Sequence, residues 1–216
     1  MGKGVGKFRS SAGALASAFG DAHLLVFILN TLCARASAEP GTPLKYVEVA
    51  EAARGYVLGC IRECSGEGDR TPYLPEGLTT EVVVLPGVGT FKDKSGVTWR
   101  FRGGLESYMV GVYIKTLRAM EKPKPERVVL DLTHGINYMP VLTAEAVSLA
   151  VDAHSACSGR GLELLVYNSD PVAGSQEGVP ELRVNLVKRV KVGPKEAKRR
   201  LLEGCRPYLK AVSYTH

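Results

Sequence analysis

Aromatic residues make up only 7% of the 216 positions and tryptophan occurs once, so no repeated aromatic spacing is present to serve as a ladder for stacked bases. Cysteines are equally sparse. The five, at 33, 60, 64, 157 and 205, form no CxxC pair and no Cys/His set at zinc spacing. That excludes a disulfide scaffold and a zinc ribbon, and it points to a reducing compartment, the cytoplasm. Cys60 and Cys64 lie one helical turn apart, but no histidine stands near them, and they read as half-buried thiols. No apolar run reaches the roughly eighteen residues of a membrane span. Neither a metal nor a cofactor is expected.

Two apparent motifs fail on their own spacing. Gly2-Lys3-Gly4-Val5-Gly6-Lys7 looks like a phosphate loop, but its first glycine would fall on Met1, and Phe8 occupies the place of the Mg²⁺-binding hydroxyl. The run Leu24–Leu32 before Ala36-Ser37-Ala38 looks like an export signal, yet the basic residues sit far from it and Arg35 follows it. Both read as ordinary parts of a folded chain with a basic leader.

What is present is a globular composition, 45% apolar with a net charge of +6, of a length that suits one core. The charge is not evenly spread. From Lys188 to Lys210 there are nine basic and two acidic residues, which leaves 19 basic and 20 acidic groups in the rest of the chain. The body is therefore near neutral, and it is not expected to hold a long nucleic acid by general charge.

Solid apolar runs of strand length alternate with helical spacing. Strands are expected at 23–30, 81–85, 127–132, 162–168 and 182–190, and helices at 10–19, 46–64, 105–120 and from the turn after 135 to about 156. The last two strands have no helix between them and should pair as an edge hairpin. The pattern predicts an α/β fold, a three-layer αβα Rossmann-like arrangement with a mostly parallel sheet. Residues 1–190 form that domain, and 191–216 a basic C-terminal helix or linker. Phe91, Trp99 and Phe101 lie among Lys92, Lys94, Arg100 and Arg102; the stretch reads as a solvated hairpin or a dimer contact, with base stacking as the alternative.

The most informative segment is Asp131-Leu132-Thr133-His134-Gly135-Ile136-Asn137-Tyr138-Met139-Pro140, at the carboxyl end of a strand and opening a helix. A helix amino terminus carries unpaired N–H groups and partial positive charge, and Gly135 lets an anion come close to the backbone. Thr133 and Asn137 add side-chain donors, and His134 can donate or titrate near neutrality. Asp131, itself an anion, is expected to accept from loop amides and hold the turn in shape. The same residues could equally cap a strand-to-helix turn and do nothing more; position alone leaves both readings standing.

DLTHGINYMP closely resembles the DxTHG signature of CRISPR-associated proteins of type III systems, whose amino-terminal half is a CARF (CRISPR-associated Rossmann-fold) sensor domain. Phe8-Arg9-Ser10-Ser11, Asn30-Thr31-Leu32, Leu85-Pro86-Gly87-Val88-Gly89 and Asn168-Ser169-Asp170-Pro171 extend the likeness. The resemblance implies a homodimer that binds a cyclic oligoadenylate, usually the tetra-adenylate, through Thr133, His134, Gly135, Ile136, Asn137, Asn30, Thr31 and Gly87, in antiviral defence. A second implied reading is a ring nuclease that opens this messenger with His134 as proton carrier, and a third is an inactive remnant. Two departures accompany the likeness. The family usually opens with a strand ahead of the Arg-Ser-Ser segment, where only Met1 to Gly6 stand here, and no Arg/His pair at the spacing of a HEPN ribonuclease domain is present.

Overall fold

The computed structural model describes residues 7–35, 45–63, 71–92, 96–122, 124–133, 138–170 and 183–213. In chain order these form helix α1 (Ser11–Phe19), strand β1 (His23–Leu29), a 3-10 turn (Asn30–Arg35), helix α2 (Tyr46–Glu63), strands β2 (Thr79–Leu85), β3 (Val88–Lys92) and β4 (Thr98–Arg102), helix α3 (Leu105–Glu121), strand β5 (Arg127–Asp131), helix α4 (Met139–Ser158), strands β6 (Leu162–Ser169) and β7 (Val184–Val192), and helix α5 (Pro194–Ser213). This is an α/β fold with parallel and antiparallel ladders and flanking helices, built on strand–helix–parallel strand units of Rossmann type. The strands fall into three sheets, β1–β2, β3–β4 and β5–β6–β7. Where length alone points to one core, the chain divides into two compact units, Met1–Gly111 and Val112–His216, and each sheet closes within one of them.

In the first unit β1 and β2 pair in parallel without slip, from His23↔Thr79 to Leu29↔Leu85. Parallel neighbours require a crossover, and α2 supplies it. Its Val49, Ala53 and Val57, four residues apart, lie on one face, and they pack with Ile28, Cys33 and Val82. Other side chains of α2 guard β2. The carbonyls of Val82 and Val84 share one strand edge and accept from Arg54 Nε (3.3 Å) and Tyr46 Oη (3.2 Å), which closes that edge to another strand. Partial burial pushes the Tyr46 phenol above its ordinary range, against the opposing pull of the Arg54 charge. At the carboxyl end of β2, a Cβ on Gly111 would lie 2.5 Å from Leu85 Cδ2, so only glycine lets the first turns of α3 come this close. Ser10 caps α1 by accepting from Gly13 N–H (2.9 Å), and its hydroxyl donates to the Tyr73 carbonyl (2.6 Å).

In the second unit β5 and β6 are parallel, from Arg127↔Glu163 to Asp131↔Tyr167, and β7 runs antiparallel to β6 with an irregularity at Val166/Tyr167. This is the expected edge pair, with β7 displaced two residues toward the carboxyl terminus. Helix α4 buries Ala146, Val147, Ala150 and Val151 and ends on the left-handed Gly159 (φ 70°). Helix α5 packs on α4. Ala197 has no exposed surface, and Arg200 grips the buried Asp152 with two donors, Nε to Oδ2 at 2.9 Å and Nη2 to Oδ1. Glu196 Oε1 accepts from the same guanidinium at 2.8 Å. The hydrogen bond to Asp152 pushes the Arg200 pKa still higher, so the guanidinium stays charged. Among the described residues no helix is long and apolar enough to cross a membrane.

Two expectations follow from this packing. Arg200→Leu leaves the Asp152 carboxylate buried without its cation and should lower stability by about 3 kcal/mol in urea denaturation. The double variant Asp152→Leu/Arg200→Leu should recover most of that loss, and strict additivity of the two single changes would contradict the pairing. Burial also pushes the Cys33 thiol above the ordinary thiol range. The folded state therefore favours the protonated form, and this contribution to stability is complete below the ordinary thiol range and lost as pH rises through the raised value. In iodoacetamide labelling at about pH 8, the exposed Cys157 should react first and Cys33 only slowly, as followed by mass spectrometry. Equal rates would contradict this.

Candidate functional site

Ligands of parallel α/β sheets bind beyond the carboxyl ends of the strands, and both parallel pairs end in polar loops. At the end of β1 the chain turns directly into the 3-10 turn at Asn30. This side chain is buried, and its Oδ1 accepts from Gly87 N–H at 2.8 Å. Gly87 follows β2 by two residues, so one hydrogen bond ties together two strand ends that are 57 residues apart in sequence. The fit is close. A Cβ on Gly87 would lie 2.6 Å from Thr31 Cγ2 and 3.2 Å from Asn30 Oδ1. The structure thus brings Asn30, Thr31 and Gly87 together. With its oxygen engaged, Asn30 keeps its amide N–H₂ as a donor, and Thr31, partly exposed, keeps its hydroxyl.

The carboxyl end of β5 shows the same economy. Asp131 Oδ1 accepts from Thr133 N–H (3.0 Å), and Thr133 Oγ1 accepts from Ser169 N–H (3.1 Å). Leu132 N–H continues the ladder to the Tyr167 carbonyl at 2.9 Å. Asp131 therefore has an oxygen committed within the turn, while the Thr133 hydroxyl proton is available to donate outward. Helix α4 opens just beyond. Its cap residue Tyr138 makes no side-chain capping bond and Pro140 stands in its first turn, so the amide donors there are not closed off by the cap side chain. His134, Gly135, Ile136 and Asn137 lie outside the described residues, as do Gly2–Gly6 of the phosphate-loop lookalike and the Ala36–Ala38 stretch. Ser169, whose amide orders Thr133, is a residue the sequence reading did not assign to the site. Its place in a polar strand-end cluster with Asn168 and Asp170 was the available signal.

Chemically, among the described residues these loops offer hydrogen-bond donors, and the carboxylates of Asp131 and Asp170 each have one oxygen engaged, by Thr133 N–H and by Asn185 Nδ2. A separate cavity of about 240 Å³, lined by Leu58, Ile61, Tyr73, Leu78 and Thr80 among others, lies by the amino-terminal half of β2 and contains none of these residues. Among the described residues no group of three or more His, Cys, Asp or Glu could hold a metal ion.

The family model described as the CARF domain of CRISPR system endoribonuclease Csx1 matches residues 2–171. The chain belongs to this CARF family. A curated relative, the CRISPR system endoribonuclease Csx1 of Methanocaldococcus jannaschii, is 35% identical over 115 residues, which is 53% of this chain and 23% of that protein. The chain thus matches less than a quarter of the relative's length, and the match lies in the sensor part of the family rather than across a whole effector. As a CARF domain it is a sensor or regulatory module of CRISPR systems, and the two donor-lined strand ends are its candidate ligand contacts.

The CARF strand-end loops are rigid enough to test by substitution. Gly87→Ala should displace Thr31 and strain the Asn30 bond, costing about 1–3 kcal/mol in urea denaturation. Thr133→Val should cost about 1 kcal/mol and speed hydrogen exchange at the Ser169 amide. Unchanged stability and exchange in both variants would contradict the geometry described.

Proposed function

We propose that this CARF domain binds a cyclic oligoadenylate, the tetra-adenylate, as a twofold homodimer in type III CRISPR antiviral defence. The observation that carries the reading is the disposition of acceptors. At one strand end the Asn30 oxygen is engaged by Gly87, at the other Asp131 and Thr133 oxygens are engaged by Thr133 and Ser169 amides. What these loops keep for a ligand is donors. A ring of adenylates is a compact polyanion, and a twofold axis would present two copies of the Thr133 turn to opposite phosphates. The DxTHG resemblance implies the ligand class, and the match to a CARF family model supports that reading.

Recognition through neutral donors needs few lysines, which agrees with the near-neutral body, and its affinity should fall less steeply with salt than that of a lysine-lined groove. In isothermal titration, cyclic tetra-adenylate should bind at one ring per two chains, and Thr133→Val should weaken it roughly tenfold, the loss of about one donor to a charged group. Labelled ligand should be recovered as the intact ring. Absence of heat with an intact dimer overturns the proposal, and linear oligoadenylate products would assign a ring nuclease in place of a pure sensor.

A further inference from the structure

The β3–β4 hairpin follows directly from the carboxyl end of β2 and takes no part in the reading above. Its register sorts its residues cleanly. Val88↔Arg102, Thr90↔Arg100 and Lys92↔Thr98 are directly opposite each other, as are Gly89↔Phe101 and Phe91↔Trp99. Because successive side chains point to opposite faces, one face carries Phe91, Trp99 and Phe101, and the other carries Val88, Thr90, Lys92, Thr98, Arg100 and Arg102. The aromatic face meets the protein through Phe101, while Phe91 keeps 41% of its surface exposed. Phe101 packs against the cluster of Ile28, Cys33, Ala53 and Val82, and Phe91 meets Phe101 edge to face with ring centroids 5.8 Å apart. Phe101 is used for packing and is not free to stack a base.

The opposite face has a different character. All six of its residues are exposed. Lys92, Arg100 and Arg102 form no ion pair with an acid among the described residues, and two threonine hydroxyls lie between and beside them. The platform is anchored at its base. Gly103 N–H donates to the Gly87 carbonyl at 3.0 Å, and a Cβ on Gly103 would lie 2.6 Å from that same oxygen. The charge balance of the body conceals this arrangement, because an average over 193 residues does not show that three cations share one face of a ten-residue hairpin.

We infer that the outward face of the β3–β4 hairpin, with Lys92, Arg100 and Arg102, is a contact surface for the phosphodiester backbone of a nucleic-acid strand. Residues two apart on a strand are about 7 Å apart, a separation that an extended nucleic-acid strand matches from one phosphate to the next. Arginine forks and threonine hydroxyls are the donors that phosphate oxygens take. A protein partner fits less well. The face has one apolar residue, Val88, and lacks the buried aromatic or aliphatic anchor on which protein interfaces depend. The contact would position a strand without reading its sequence, since nothing on this face is shaped for base edges.

The test is fluorescence anisotropy with labelled 20-nucleotide mixed-sequence RNA, and the DNA of the same sequence, at salt from about 50 to 200 mM. The full chain should bind, and Arg100→Gln/Arg102→Gln should weaken binding at least tenfold at the lowest salt. The slope of log K against log salt should become shallower by about 1.4, two charges at about 0.7 each. Lys92→Gln should act in the same direction by about half as much. Lys195→Gln/Lys198→Gln on α5, equal in charge removed, should weaken binding less than the hairpin pair. RNA and DNA arms that respond alike support a backbone contact, and a preference for RNA that the hairpin variants abolish places a 2′-OH contact there as well. Absence of binding by the parent, equal binding by the hairpin variant, or competition by polyglutamate as strong as by RNA at equal charge overturns the inference. The hairpin variants should still bind cyclic tetra-adenylate, so failure here is distinguishable from failure of the sensor reading.

Discussion

The hydrogen bond from Gly87 N–H to Asn30 Oδ1 joins the ends of two parallel strands and decides what the loop between them can offer a ligand. A parallel pair leaves its carboxyl ends side by side, each with backbone groups that must be satisfied. Here a buried asparagine oxygen satisfies one of them, and a glycine is required because any larger residue would collide with Thr31. The consequence is chemical as well as structural. The Asn30 oxygen is used inside the protein, and the hydroxyl of the partly exposed Thr31 remains as a donor beside it. The Asp131–Thr133–Ser169 set repeats this at the end of β5 with different residues, and the repetition makes an anionic ligand the natural complement of both.

The charge distribution separates two kinds of anion recognition. Donors at the strand ends are neutral and fixed by hydrogen bonds to the backbone, which suits a small ligand of defined shape held in modest salt dependence. The cations of the hairpin are exposed and form no ion pair among the described residues, which suits a longer strand held by its phosphates and sensitive to salt. Arg200 is a contrast within the same molecule. Its charge is used inside the fold, paired with a buried carboxylate, and so contributes to the attachment of α5 rather than to any ligand.

Much of this was legible in the sequence. The run Leu24 to Leu29 is apolar throughout, as expected of a strand covered on both faces, and the four-residue spacing of Val49, Ala53 and Val57 defines the helix that packs on it. The turn-forming Pro171, Gly174, Gly178 and Pro180 between β6 and β7 in the sequence were enough to predict their antiparallel pairing. Other features depend on contacts that no local pattern carries. The partner of Asn30 is distant in sequence, and the role of Ser169 follows from its register with β5. The hairpin is the clearest case. Its aromatic and basic residues alternate visibly, but which set faces the protein depends on the packing of Phe101 against β1, α2 and β2. The division into two compact units was likewise hidden, since length and composition describe only the total apolar content.

The central claim is that strand-end donors, at Asn30–Thr31–Gly87 and at Thr133, meet the phosphates of a cyclic oligoadenylate. Its most direct test is a ¹⁵N–¹H correlation spectrum of the intact protein during titration with cyclic tetra-adenylate. The account predicts that the amides of Thr31, Gly87, Thr133 and Ser169 shift together and saturate at one ring per two chains, with those of Arg100 and Arg102 unchanged. Shifts confined to other residues, with these four amides unmoved at saturation, would contradict it.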